Sequence, residues 1–165
     1  MTAASLRPLA SADLDRVRHW RNHPRIRAAM YHQHEIQPDE HQRWFESANA
    51  DAGRHLYVFL LEDEPSGFVH FRALADGVAE WGFYLAPDVA KGSGRLLGEC
   101  ALQEAFQQLG YHTLQAEVRA DNEASLRFHR RLGFVWEKRI EIESLDVDCF
   151  RLKADQWRER VSHEC

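Results

Sequence analysis

The sequence predicts a mixed α/β (α+β) domain, a mostly antiparallel sheet of about seven strands accompanied by about four helices. Three observations predict it. The hydrophobic period changes from helical to alternating near His55. A strand, a Gly-rich loop and a helix then follow one another over Ala79–Leu97 (AEWGFYLAPDVAKGSGRLL). A further strand comes directly after that helix, which makes a parallel pair joined by a crossover.

In chain order, Ser5–Ala10 reads as a short strand, and Pro8 places it at a sheet edge. Ser11 is an N-cap residue for a helix carrying Leu14, Val17 and Trp20, which Asn22-His23-Pro24 ends. A short helix through Ile26, Ala29 and Met30 follows. Gln37-Pro38-Asp39-Glu40 starts another, with proline in its first turn and His41, Trp44, Phe45 and Ala48 three or four apart. His55–Glu62 is a buried strand, Asp63–Gly67 a turn, and Phe68–Leu74 the hairpin partner. Asp76-Gly77 turns into the strand 79–85, in which Glu80, Gly82 and Tyr84 face away from Trp81, Phe83 and Leu85. Pro87 stops that strand. The long helix runs from about Gly94 to Leu109 and stops at Gly110. His112–Ala120 alternates Leu114, Ala116 and Val118 against Gln115, Glu117 and Arg119. Asp121-Asn122 caps a helix with Leu126, Phe128, His129 and Leu132, which stops at Gly133. Strands at Phe134–Ile142 and Leu145–Leu152 and a helical tail at Asp155–Arg160 complete the chain.

The length of 165 residues fits one domain over 1–165, with its core at 5–153. A formal net charge of −5 with no basic run argues against nucleic acid as a partner. No apolar run reaches the ~20 residues that span a bilayer. Cys100, Cys149 and Cys165 are too far apart and too few for a disulfide framework, which fits a cytoplasmic protein. Oligomeric state is left open, a homodimer included. The histidine-rich stretch around His32, His34 and His41 lacks metal-ligand spacing, so no metal is expected.

Lys91-Gly92-Ser93-Gly94-Arg95 has the makings of a phosphate cradle: glycines that admit close approach, amides ahead of a helix N-terminus, and two cations. A dinucleotide fingerprint would need a third glycine where Leu97 stands, and no Gly-Lys-Ser/Thr sequence follows four spacer residues as a P-loop requires. A pyrophosphate held another way is the indicated ligand.

The second motif is specific. Asn122-x-x-Ser125-x-x-Phe128-x-x-x-Leu132-Gly133-Phe134 after a strand, with the Gly92-x-Gly94 helix start before it, resembles the GCN5-related N-acetyltransferase (GNAT) family. The resemblance implies that family's fold, with strands four and five splayed apart, and acetyl-CoA as donor. It implies that Lys91, Gly92, Ser93, Gly94 and Arg95 hold the CoA pyrophosphate. The Tyr84–Leu85 backbone would pair with the pantetheine arm, and Asn122 and Ser125 would contact that arm or hold the splayed strand. Val89 departs from the Arg or Gln usual three positions before Gly92; since the grip is by backbone amides, this implies weaker CoA affinity at worst and not loss of binding. The N-terminal half, with Trp20–Pro24, Met30-Tyr31, His34–Ile36 and Glu40-His41, and the strand Glu80–Leu85 resemble the sugar-nucleotide N-acetyltransferases of pseudaminic acid synthesis. That resemblance implies a UDP-4-amino-4,6-dideoxy sugar as acceptor, bound by Arg21, Met30, Tyr31, His41 and Trp44.

For the transfer, Glu80 is the candidate base, the Leu85 N–H an oxyanion donor, and His129 the acid that protonates the leaving thiolate, with Tyr84 in reserve. A histidine of ordinary pKa, ~6.5, would lose that function at alkaline pH. Two other classes share the core: an acetyltransferase for protein N-termini or other small amines, and a non-catalytic acyl-CoA-binding module. The pair Glu80 and His129 speaks against the latter.

Overall fold

The computed structural model describes residues 2–163. Strands β1 (Ala4–Pro8), β2 (Arg54–Leu61), β3 (Glu64–Ala75), β4 (Val78–Leu85), β5 (Thr113–Arg119), β6 (Val135–Ile142) and β7 (Leu145–Lys153) form one sheet in the order β1-β2-β3-β4-β5-β7-β6. Every neighbouring pair is antiparallel except β4–β5, which is parallel. The helices are α1 (Leu14–Asn22), α2 (Pro24–Arg27), α3 (Pro38–Asn49), α4 (Ser93–Gln103), α5 (Glu123–Leu132) and α6 (Ala154–His163). These outnumber the sequence expectation because α2 and the C-terminal segment are helices in their own right.

Strand alternation divides the core between the two faces of the sheet. Val58 and Phe68 pack with Leu14, Val17, Trp20 and Phe45 from α1 and α3. Phe59, Val69, Phe71, Trp81 and Leu114 pack with Leu97 and Ala101 of α4, Leu126 of α5 and Trp157 of α6.

Three local expectations differ from the structure. Ser11 does not cap α1: Ser11–Asp13 is a 3₁₀ turn, and the Asp13 carboxylate accepts the Ala10 N–H while pairing with Arg7 at 2.7 Å. The β2–β3 turn is Glu62-Asp63, both at positive φ (48° and 65°), so Pro65 lies within β3, beyond the register shift at Phe59/Leu60. Positive φ at both central residues is the signature of the type I′ two-residue hairpin turn, whose twist matches that of the flanking strands. The long helix ends as a π-turn over Glu104–Gln108, with Leu109 N–H bonded five residues back to Glu104.

The feature that positions everything else is the junction of β4 and β5. They pair only at Val78↔Thr113, Ala79↔Leu114 and Glu80↔Gln115. Past Glu80 the strands diverge, so β4 from Trp81 to Leu85 has no partner strand on that side. Backbone polar groups left unpaired in a protein interior need another partner, and an extended ligand is one.

Candidate active site

A cavity of about 740 Å³ opens at this divergence. One wall is the face of β3 and β4 carrying Phe68, His70, Glu80, Gly82 and Tyr84. Phe83 and Leu85 line it from the other face, with Phe128 and His129 of α5. Glu117 and Arg119 of β5 bound it beyond the divergence, and residues from α1 to α3 bound it opposite the sheet. Of the residues singled out in the sequence, the cavity gathers Glu80, Tyr84, Leu85, Gly94, Asn122, Ser125, His129, Arg21, Met30, Tyr31, His41 and Trp44. Lys91 and Gly92, on the loop into α4, and Ser93 and Arg95, in its first turn, lie outside its lining.

That loop has room for a ligand. Gly92 adopts the left-handed conformation, φ 92°, at the N-cap of α4. A Cβ there would meet nothing within 4 Å, and one on Gly94 would meet only Leu85, at 3.7 Å. Ser93 is buried with its hydroxyl donating to the Ala90 carbonyl, and Arg95 is paired with Glu99 at 2.9 Å. Val89 packs against the α1/α3 side of the core instead of facing the loop. The open β4 backbone followed by an uncrowded glycine loop fits an extended chain joined to a pyrophosphate, as the pantetheine arm is in coenzyme A.

Asn122 accepts the Ser125 N–H at 3.2 Å and so caps α5 while facing the cavity. Three turns of packing then bury His129, 3 % exposed, among Trp81, Phe83, Phe128, Phe134 and Phe150. Its Nδ1–H donates to the Ser125 carbonyl at 2.8 Å. Burial pushes the imidazolium down to about 4. A shift of that size leaves the ring mostly neutral near pH 7 and runs against the expected imidazolium acid, because the aromatic shell that holds the ring in place also disfavours its charge. Tyr84 keeps its proton across the same range, because burial pushes its phenol well above the usual value. Glu80 is half-buried and its carboxylate accepts from Arg72 at 3.2 Å.

The opposite wall is built by the segment 28–37 between α2 and α3. Met30 lies in it, beyond the end of α2, and not in a helix as the sequence suggested. Arg119 donates to the carbonyls of Ala28 and Met30 at 2.9 and 3.1 Å, and the Tyr31 hydroxyl donates to Glu117 at 2.8 Å. Asn22 exchanges two bonds with the Ile36 backbone. Arg21 Nη2 donates to the His32 carbonyl at 2.6 Å, and its Nη1 is buried with no partner. His41 stacks on Trp44, centroids 5.0 Å apart, and its Nδ1 is likewise buried and unpartnered. Burial, with Arg18 and Arg21 nearby, holds His41 below its usual range.

The histidine-rich stretch disperses: His32 approaches Glu143, His34 bonds Glu40, and His41 turns to Trp44. Among the described residues no three His, Cys, Asp or Glu side chains are grouped to hold a metal. No helix of the described residues is long and apolar enough to cross a membrane.

Glu117, Arg119 and His70 were not identified from the sequence. The first two lie on the outward face of β5 by simple alternation, but only the divergence from β4 turns that face toward a cavity. His70 had a visible signal in Gly82, since a glycine inside a strand marks a close approach.

The acetyltransferase (GNAT) domain family matches residues 4–135. Acetyltransferase PseH of Campylobacter jejuni subsp. jejuni serotype O:23/36 (strain 81-176) is 28 % identical over 126 residues, 76 % of this chain and 79 % of that protein. L-amino acid N-acyltransferase MnaT of Escherichia coli (strain K12) is 30 % identical over 141 residues, 79 % of each chain. A solved spermidine N-acetyltransferase from Vibrio cholerae, in complex with CoA and spermine, superposes with a TM-score of 0.85 at 22 % identity, covering 94 % of this chain and 98 % of that one.

Proposed function

The chain belongs to the GNAT acetyltransferase family and is an N-acetyltransferase using acetyl-CoA; from that premise we propose that its acceptor is the 4-amine of a UDP-linked amino-dideoxy sugar, as in pseudaminic acid synthesis. The observation that carries this reading is Arg21. A buried guanidinium N–H without a partner costs stability unless a ligand completes it, and a diphosphate oxygen is a fitting acceptor. Arg25, Arg54 and Arg119 also line the cavity, facing Glu40, Glu80 and Glu117, so the lining is close to balanced in charge and lacks the acidic excess that a polycation such as spermine would favour. The His41–Trp44 stack offers a flat surface for a pyrimidine, with an unpartnered ring nitrogen beside it. The PseH relatives and the resemblance of the N-terminal half support the same acceptor.

In this reading the Leu85 N–H, on the open edge of β4, stabilises the oxyanion as the amine adds to the thioester carbonyl. Glu80, fixed by Arg72, draws the amine toward β4. Tyr84, protonated throughout the neutral range, donates to the leaving sulfur, since His129 has no spare proton there. The Gly92 to Gly94 loop with Lys91 and Arg95 holds the pyrophosphate, and Asn122 and Ser125 keep α5 set against the arm.

Mass spectrometry of a reaction with acetyl-CoA and the UDP-4-amino sugar, with free thiol followed in parallel, tests the proposal. One acetyl gained by the sugar with matching thiol release supports it. CoA binding with acetylation of L-amino acids or peptide amines, and none of the sugar, overturns the acceptor and leaves the transferase.

A further inference from the structure

His70 of β3 stands opposite Gly82 of β4 in the sheet register. A Cβ on Gly82 would lie 2.3 Å from His70 Nε2 and 3.0 Å from its Cε1. The imidazole therefore crosses β4 in the space a side chain at 82 would fill. Phe68, two residues before it on the same face, stacks on the ring with centroids 5.6 Å apart and planes 23° apart. Glu80 and Tyr84 flank Gly82 on that face, and all of these residues line the cavity. Among the described residues His70 makes ring contacts but no hydrogen bond.

Its place along β4 matters. Pairing with β5 ends at Glu80, so Gly82 belongs to the stretch of β4 that opens onto the cleft. The face carrying Glu80, Gly82 and Tyr84 is the one turned toward α1 and α3, from which Arg21 and His41 look into the cavity. His70 Nε2 therefore lies over Gly82 on the same side of the sheet as Arg21 and His41.

We propose that His70 is the base that takes the proton from the acceptor amine. With the ring proton on Nδ1, the Nε2 lone pair faces β4. The amine nitrogen bonds to the thioester carbonyl carbon and passes one proton to Nε2. The carbon–sulfur bond then breaks, with its electron pair leaving on sulfur. Tyr84 gives its proton to the thiolate and recovers one from solvent, the imidazolium gives its proton to solvent, and the products are an amide and a free thiol with the ring neutral again. Burial, reinforced by Arg54 and Arg72, pushes the His70 imidazolium down to about 4, so the lone pair is available throughout the neutral range. Glu80, the other candidate, already accepts from Arg72.

The inference rests on the transferase reading and not on the identity of the acceptor. The assay uses the UDP-4-amino sugar or, if the wild type leaves it unchanged, whichever of an L-amino acid, spermidine or peptide amine the wild type acetylates. A wrong acceptor thus shows in the wild type, and a wrong base shows only in variants. His70→Ala and His70→Gln are expected to lower kcat by about 100-fold or more, while CoA affinity by calorimetry stays at the wild-type value. Added imidazole restores turnover to His70→Ala, and a series of substituted imidazoles restores it in proportion to their basicity. Variants that bind CoA and turn over within a few-fold of wild type overturn the proposal. So does a rescue that follows the size of the added ring and ignores its basicity.

Discussion

The titration of His129 separates two accounts of this site. Its ring is enclosed by aromatic side chains, 3 % exposed, and bonded through Nδ1–H to Ser125. Burial moves its imidazolium from an ordinary ~6.5 to about 4. At 1.36 kcal/mol per unit, that difference is about 3 kcal/mol against the charged ring, and about one molecule in a thousand carries the charge at pH 7. The direction of the stability effect follows. Above ~6.5 the ring is neutral folded and unfolded, and stability is fully present. As pH falls below that value the unfolded chain binds a proton that the folded chain refuses, so stability falls until the folded value near 4 is reached. Between pH 8 and pH 5 the loss from this one ring is about 2 kcal/mol. Urea denaturation across that range, for the wild type and for His129→Phe, measures it as the part of the slope that the substitution removes. Carbon-13 spectra of the histidine Cε1 atoms read the ring directly, and the His129 resonance should hold steady from pH 6 to 9. A His129 midpoint at or above 6, or an alkaline fall in kcat that disappears in His129→Phe, would refute the reasoning and restore the imidazolium acid.

Two further outcomes follow from packing. Gly82→Ala drives a methyl into the His70 ring and should displace the imidazole, with an overpacking cost of about 1–3 kcal/mol. Turnover should fall as in His70→Ala while calorimetry shows unchanged CoA binding, and full activity would contradict the placement. Asp148, 2 % exposed, accepts from Arg139 at 2.9 and 3.2 Å and from Trp136 Nε1 at 3.0 Å. The Arg139 guanidinium, aided by Trp136, holds its carboxyl below the usual range, so this stability is present above ~3.9 and lost as pH falls through the folded value. Asp148→Asn should lower stability by about 1–2 kcal/mol at pH 7, and the gap from wild type should narrow in acid, both read from thermal melts.

The sheet was readable because its strands announce themselves locally. Leu114, Ala116 and Val118 are buried at every second position, and the glycines at 77, 110 and 133 all take the positive φ that ends an element. The mistakes fell where two local signals competed. Pro65 and Gly67 look like a turn, yet Glu62-Asp63 makes the tighter hairpin, and the register shift beside Phe59 accommodates the proline. Met30 carries a helical spacing from Ile26, but Arg119, distant in sequence, claims the carbonyls of Ala28 and Met30. A run of turns and bends replaces what would have been helix. No local window contains that competition.

The site was legible by residue and not by protonation. Glu80 and His129 could be named from spacing and family likeness, and both line the cavity, whereas of the Gly92 loop only Gly94 does. Such patterns do not record what surrounds a side chain. His129 and His70 are chemically the same residue and both are held neutral by burial, yet their nitrogens are disposed differently. His129 commits Nδ1 to its own helix behind an aromatic shell, and His70 lies unbonded across a glycine at the point where two strands part. Only the partners of each ring distinguish the two, and these are set by contacts with strands and helices far away in sequence. The divergence of β4 from β5 frees the backbone of β4 beyond Glu80 and opens the cavity there, while the missing side chain of Gly82 makes the room into which the His70 imidazole reaches from the neighbouring strand.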